Sequence, residues 1–245
     1  MDSNLVIGRN AVMELLSSGK EIEKIFIQTG LRGDFEKELR KELKGRDIPV
    51  QYVPTQKLGK MTRGNHQGII AMISLVAYQS TLDVITLLYE QGKTPLVVIL
   101  DGVTDVRNFG AIVRSAEIFG VHAIICPIKN SAIINEITVK ASAGALAHMT
   151  ICREKSIANT IELLQSMGLA IYAAEHHSEK TVDQIDFKIP CALVMGDEGE
   201  GVSAHVLKHT TERFKINQVG KTESLNVSVA AGVVLYEACK SRLTT

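Results

Sequence analysis

Short apolar runs that read as buried strands alternate with helical patterns along the whole of this 245-residue chain. KIFIQ, PVQYV and GIIAMISLV mark the first part, and LVVIL, HAIIC, HMTIC, LAIYAA, CALVM and RFKI the second. Between them lie the helix-like DFEKELRKELKG, TQKLGKM and TLDVITLLYEQG, with further helices expected from about Asn108, Ile133, Ser156, Ser203 and Asn226. Such alternation predicts an α/β fold whose mostly parallel sheets carry helices on both faces. VAYQSTLDV has no clear period and is the natural boundary. The expected division is a small α/β domain over 1–75, a linker over 76–88 and a larger parallel-sheet domain over 89–245.

The length supplies ample material for a buried core. The longest apolar runs, such as PLVVIL and VHAIICPI, fall well short of the ~20 residues that cross a bilayer, and MDSNLVIGRN lacks the pattern of a leader. No membrane partner and a cytoplasmic location are expected. Cys126, Cys152, Cys191 and Cys239 lie far apart in apolar segments with no CxxC pair, which reads as buried free thiols. The formal net charge is zero, so no global basic field marks a nucleic-acid binder. The balance is uneven, though: residues 1–76 hold 12 Lys and Arg against 9 Asp and Glu.

Several familiar signals fail. GKT occurs at Gly92–Thr94 and Gly220–Thr222, but Leu87 and Lys215 stand where a phosphate-binding loop needs glycine. No GxGxxG follows the first strand of either part, and GxSxG is absent. His205 and His209 are spaced i, i+4 without an acidic or cysteine partner at metal spacing, so a solvated helix face is expected and no metal.

Ligands of parallel sheets sit beyond the carboxyl ends of the strands, which directs attention to the loops after LVVIL, LAIYAA, CALVM and RFKI. In DGVTDVRNFGAIVRSAEIFG, Asn108 stands at the expected helix N-cap, Gly120 at its end, and Ile112, Ala116 and Phe119 form the buried stripe. Arg114 lies elsewhere on that helix, as an exposed charge or a functional one. In ESLNVSVAAG, Ser224 or Asn226 can cap a long apolar helix, but capping does not easily explain Glu223, Ser224 and Asn226 together. GDEGEGVS, from Gly196, places Asp197, Glu198 and Glu200 where a phosphate cradle would need positive partial charge. Those acids serve solubility, or they face a ligand without phosphate. S-adenosylmethionine fits the second reading, with a sulfonium cation, ribose hydroxyls and an adenine that backbone groups can read.

Three ordered motifs across about 130 residues, N108-x-G110-x-x-x-R114, L193-V-M-G196-D-E198-G-E-G201-V-S203 and S224-L-N226-V-S-V-A-A, resemble those of the SpoU, or TrmH, family of RNA ribose 2′-O-methyltransferases. IGRNAVMELL and RGNHQGIIA resemble the N-terminal substrate-binding domain of the RlmB type, which methylates a guanosine of 23S ribosomal RNA. One departure stands out: relatives commonly carry Ile-Pro-Met before the third motif's glycine, where this chain reads Ile216-Asn217-Gln218-Val219-Gly220.

The resemblance implies a C-terminal trefoil-knotted methyltransferase domain and a homodimer, with S-adenosylmethionine in the knot. Its contacts would come from Glu175, Met195, Gly196, Ile216, Gln218 and Leu225. Catalysis would rest on Arg114 with Asn108, Glu198, Ser224 and Asn226. A guanidinium with a pKa of about 12.5 or more is a poor literal base, so Arg114 is expected to hold phosphate while polarising the hydroxyl. Arg9, Arg63, His66 and Gln67 are the candidates for RNA contact. The expected substrate is 23S rRNA; tRNA is the alternative, and a non-catalytic RNA-binding assembly factor the rival of a different class.

Overall fold

A computed structural model describes residues 4–222 and 224–244. The chain forms two compact units, Met1–Ala77 with Ile133–Glu136, and Tyr78–Ala132 with Ile137–Thr245.

In the first unit the order is β1 (Leu5–Ile7), α1 (Arg9–Ser17), β2 (Ile22–Gln28), α2 (Asp34–Leu43), β3 (Val50–Val53), α3 (Thr55–Met61) and β4 (Ile69–Ile73), with sheet order β1-β4-β2-β3. Successive β2 residues point to opposite faces. Ile25 and Ile27 pack with Val12, Leu15 and Leu16 of α1 and Leu39 of α2, while Phe26 packs with Leu58 of α3, Val53, Ile70 and Met72. The expectation of mostly parallel sheets fails in this unit: β4 runs antiparallel to both β1 and β2, and only β2–β3 is parallel. The cause is where β4 begins. The Gln28 N–H, at the end of β2, donates to the Gly68 carbonyl just before β4 (2.8 Å), so the chain enters β4 from the end at which β2 finishes.

The second unit runs β5 (Tyr78–Gln79), α4 (Thr81–Glu90), β6 (Leu96–Asp101), α5 (Val106–Ile118), β7 (Ala123–Pro127), α6 (Glu136–Ala141, its first residue grouped with the first unit), β8 (Thr150–Glu154), α7 (Ile157–Ser166), β9 (Ala170–Ala174), β10 (Cys191–Gly196), α8 (Ala204–Leu207), β11 (Glu212–Phe214) and α9 (Val227–Leu243). Its sheet, in order β11-β9-β10-β6-β7-β8-β5, is parallel throughout. Residues 76–88, expected as a linker, instead carry β5 and most of α4. Ser80 caps α4 by accepting from the Asp83 N–H, and Val84, Ile85 and Leu88 bury its apolar stripe.

One face of this sheet packs Val97, Ile99, Ile125, Ile171 and Val194 against α4 and against Ile157, Ile161 and Leu164 of α7. The alternate residues Val98, Leu100, Ile124 and Leu193 are also buried, as expected of parallel strands covered on both sides. Cys126, Cys152 and Cys191 are buried and Cys239 half-buried, all as thiols rather than disulfides. Among the described residues no helix is long and apolar enough to cross a membrane, and no three His, Cys, Asp or Glu are grouped to hold a metal ion.

Candidate active site

The helix expected to start at Asn108 starts earlier. Asp105 is the N-cap of α5, its carboxylate accepting from the N–H groups of Arg107 (2.8 Å) and Asn108 (2.9 Å). Asp and Asn cap equally well, and the sequence offers both within four residues. The Asn108 side chain is thereby released from capping. Phe109, Ile112, Val113 and Ala116 bury the helix's inner face, Phe119 is half-buried with its ring against Tyr236, and Gly120 ends the helix at φ 74°. Gly110 is required by proximity: a Cβ there would lie 2.6 Å from the Ala141 Cβ and 2.7 Å from the Thr138 carbonyl.

The acidic loop after β10 is a tight reversal. The backbones of Asp197 and Gly201 exchange two hydrogen bonds of 3.0 Å, and the Asp197 carboxylate accepts from the Gly199 N–H (3.1 Å). A Cβ on Gly196 would fall 2.0 Å from the Gly201 carbonyl carbon, so only glycine lets the loop fold back on its strand. At its far side the Ser203 N–H donates to the Asp101 carboxylate at the end of β6 (2.8 Å), and Ser203 caps α8. Asp197 is thus spent on the loop itself. Glu198 is not.

Asn226 joins the three segments. Its Oδ1 caps α9 by accepting from the Ser228 N–H (3.0 Å), which fixes the amide's orientation, because a backbone N–H can only donate. Its Nδ2 donates to Asn108 Oδ1 (3.1 Å) and to Glu198 Oε1. Asn108 and Asn226 are 118 positions apart in sequence. One carboxamide therefore ties the helix after β6, the loop after β10 and the start of α9 into one polar site beyond the carboxyl ends of the strands.

Arg114 does not join this contact. Six residues on from Asn108, it lies about 9 Å along α5 and on another side of it. It is exposed, has no hydrogen-bond or ion-pair partner among the described residues, and lines a cleft of about 280 Å³ with Glu117, Ile118, Gly144 and His148. Ser224 is exposed and makes no hydrogen bond among the described residues. Glu223 lies outside the described residues.

Glu175, Gly196 and Ile216 sit at or just past the ends of β9, β10 and β11, with β9 paired to both β10 and β11. Met195 is buried within β10. The Glu175 carboxylate pairs with Arg213 (3.4 Å), and its N–H donates to the Phe214 carbonyl (2.8 Å). Leu225 immediately precedes the α9 cap, and the backbone N–H groups of Ile216, Gln218 and Leu225 donate to no acceptor among the described residues. In the first unit, Arg9, His66 and Gln67 line one cleft of about 700 Å³, and Arg63 is not among its lining residues. Sequence reading missed Asp105, Asp101 and Ser228. Asp105 carried a local signal as a capping residue, and Ser228 bonds Asn226 locally in the first turn of α9, whereas Asp101 meets Ser203 only through the folded loop.

Sequence comparison matches residues 95–236 to the SpoU rRNA Methylase family and residues 5–79 to the RNA 2′-O ribose methyltransferase substrate-binding domain. YacO of Bacillus subtilis, assigned to the TrmH family of tRNA/rRNA methyltransferases, is 32% identical over 237 residues, covering 97% of this chain and 95% of that protein. AviRb of Streptomyces viridochromogenes, a SpoU methyltransferase solved with the cofactor AdoMet, shares the fold at a TM-score of 0.63 and 20% identity, covering 98% of this chain and 91% of that one. The TrmH/SpoU tRNA modifying enzyme of A. aeolicus is 30% identical with a TM-score of 0.56, covering 61% of this chain and 76% of that one. With the three motif segments gathered beyond the carboxyl ends of β6 and β10 and the family pattern spanning more than half its length, this chain belongs to the SpoU/TrmH family of RNA methyltransferases.

Proposed function

We propose that the protein transfers a methyl group from S-adenosylmethionine to a ribose 2′-hydroxyl of RNA in the cytoplasm, with a guanosine of 23S rRNA as its target. The observation that carries this reading is the Asn226 carboxamide, which ties Asn108 and Glu198 to the start of α9. The residues fit the cofactor. The loop after β10 offers acids rather than a phosphate cradle, and the N–H groups of Ile216, Gln218 and Leu225, which have no acceptor among the described residues, suit an adenine edge. Bound there, S-adenosylmethionine would supply an electrophilic methyl carbon.

In-line transfer depends above all on aligning the attacking oxygen. Arg114 suits a phosphate beside the target ribose, because an unpaired guanidinium holds an anion bidentately while polarising a hydroxyl. Asn108, Glu198 and Asn226 shape the adjoining wall, and Ser224 is proposed to complete it.

A homodimer and the trefoil knot belong to this reading. Leu225, Val229, Val233 and Tyr236 recur every three or four residues up to and along α9 and are exposed, as is Ile118 on α5, which also lines the Arg114 cleft. An apolar stripe of that kind suits a second copy of the chain, and its closure would carry each Arg114 cleft into a two-subunit site. Ribosomal RNA is favoured over tRNA because residues 95–236 match a family described as rRNA methylases, and because the tRNA modifying enzyme of A. aeolicus matches only 61% of this chain.

The test is Arg114→Ala, with cofactor binding followed by calorimetry and methyl transfer by label. Cofactor binding should persist while turnover falls at least about 100-fold, the scale of a misplaced reactant. Loss of both together with dissociation would assign Arg114 a structural role.

A further inference from the structure

The cleft of the first unit has an unusual hydrogen-bonding character. Its lining includes Arg9, Arg32, Asn65, His66 and Gln67 and no carboxylate. The 62–68 loop that builds it uses its own side-chain acceptors to hold backbone N–H groups, two of its own and one at the start of α1. Asn65 Oδ1 accepts from the Gln67 N–H (3.3 Å), His66 Nδ1 from the Gly68 N–H (3.0 Å), and Gln67 Oε1 from the Arg9 N–H (2.9 Å). Because a backbone N–H can only donate, these contacts fix both carboxamides and the imidazole tautomer. Asn65 Nδ2, His66 Nε2 and Gln67 Nε2 are left as donors with no partner among the described residues.

Arg9 adds to them. Its Nε donates to the Gln67 carbonyl (3.2 Å) and its guanidinium lies 5.0 Å from the centre of the Phe35 ring, and its terminal amino groups have no hydrogen-bond partner among the described residues. Gln67 adopts φ 50°, an uncommon conformation for a non-glycine residue and one concentrated at ligand clamps. A rigid cleft rich in donors selects a ligand rich in acceptors.

We infer that this cleft holds one unpaired, unstacked guanosine nucleotide of the RNA substrate, an assignment that rests on the RNA reading above. Guanine presents two adjacent acceptors, O6 and N7, on one edge; adenine and cytosine place an amino donor there, which would meet N–H groups head-on. Single-stranded RNA exposes that edge, and phosphate oxygens suit the two arginines.

The test is fluorescence anisotropy of the full-length protein, without cofactor, on the hexamers AAGAAA, AAAAAA and AAGAAA carrying 7-deazaguanosine, which lacks the N7 acceptor. The guanosine hexamer should bind about tenfold more tightly than the adenosine one, and the deaza substitution should remove most of that preference. Asn65→Asp and Gln67→Glu keep the acceptor that each side chain gives the loop and replace its outward donor with an acceptor. Both should abolish the preference, and the ratio of affinities cancels the effect of the added charge. Equal binding of all three hexamers would overturn the assignment and leave a phosphate clamp, as would a preference that survives in both variants. Methyl transfer is measured separately, so failure of the wild-type protein to methylate any RNA would sink the proposed function without deciding the base preference.

Discussion

Asn226 does two jobs through opposite ends of one amide, and the two can be separated by substitution. Asn226→Asp keeps the oxygen that caps α9 but replaces the donors facing Asn108 and Glu198 with a second acceptor. Thermal stability should change little at this exposed site, while methyl transfer falls about 100-fold through misalignment. Asn226→Ala should lose the cap as well, at a cost of about 1 kcal/mol measured by denaturant unfolding. His122 gives a pH test. Burial, assisted by the charges of Arg242 and Lys93, holds its imidazole below the ordinary 6.5, and its Nδ1 accepts from the Leu96 N–H (3.1 Å). The unfolded chain therefore binds the proton first on acidification, so this contribution to stability is complete above about pH 6.5 and declines below it. Between about pH 7.5 and 5.5 the melting temperature should fall more in the wild type than in His122→Asn; equal slopes would remove His122 from the account.

Among the elements, α9 shows how a single side chain secures a helix end. Arg242 donates to the carbonyls of Thr94 (2.8 Å), Pro95 (2.9 Å), Phe187 (2.7 Å) and Ile189 (2.9 Å), clamping the segments that lead into β6 and β10. Arg242→Met should cost about 2–4 kcal/mol in denaturant unfolding, since charged donors leave and partly buried carbonyls lose their partners. Most elements were legible from apolar periodicity, because buried parallel strands read as short continuous runs. Direction was not: β4 looks like any other buried strand, and only the bond between Gln28 and Gly68 reveals that it enters antiparallel. Nor was β5, whose two residues are too few for a pattern. Asp105 and Asn108 were indistinguishable as caps by type, and the Asn108–Asn226 contact has no local signature at all. The motifs were found by their resemblance to a family; what each residue touches came from the fold.

At the scale of the whole molecule, the exposed stripe of Val229, Val233 and Tyr236 on α9 is the feature that a single chain leaves unexplained. Tyr236 is 54% exposed although its ring packs on Phe119. Light scattering should give the wild-type protein twice the mass of one chain, and Tyr236→Asp should halve it while retaining the fold by circular dichroism. A wild-type monomer would detach Arg114 from any two-subunit site. The central claim concerns chemistry on RNA, and it is tested most directly by labelled methyl transfer from S-adenosylmethionine to unmethylated 23S rRNA and, separately, to total tRNA, with the modified position mapped. The expected result is incorporation at one guanosine ribose of the large-subunit RNA. Transfer to tRNA alone would contradict the substrate assignment, and no transfer to either, despite cofactor binding, would contradict the proposed function itself.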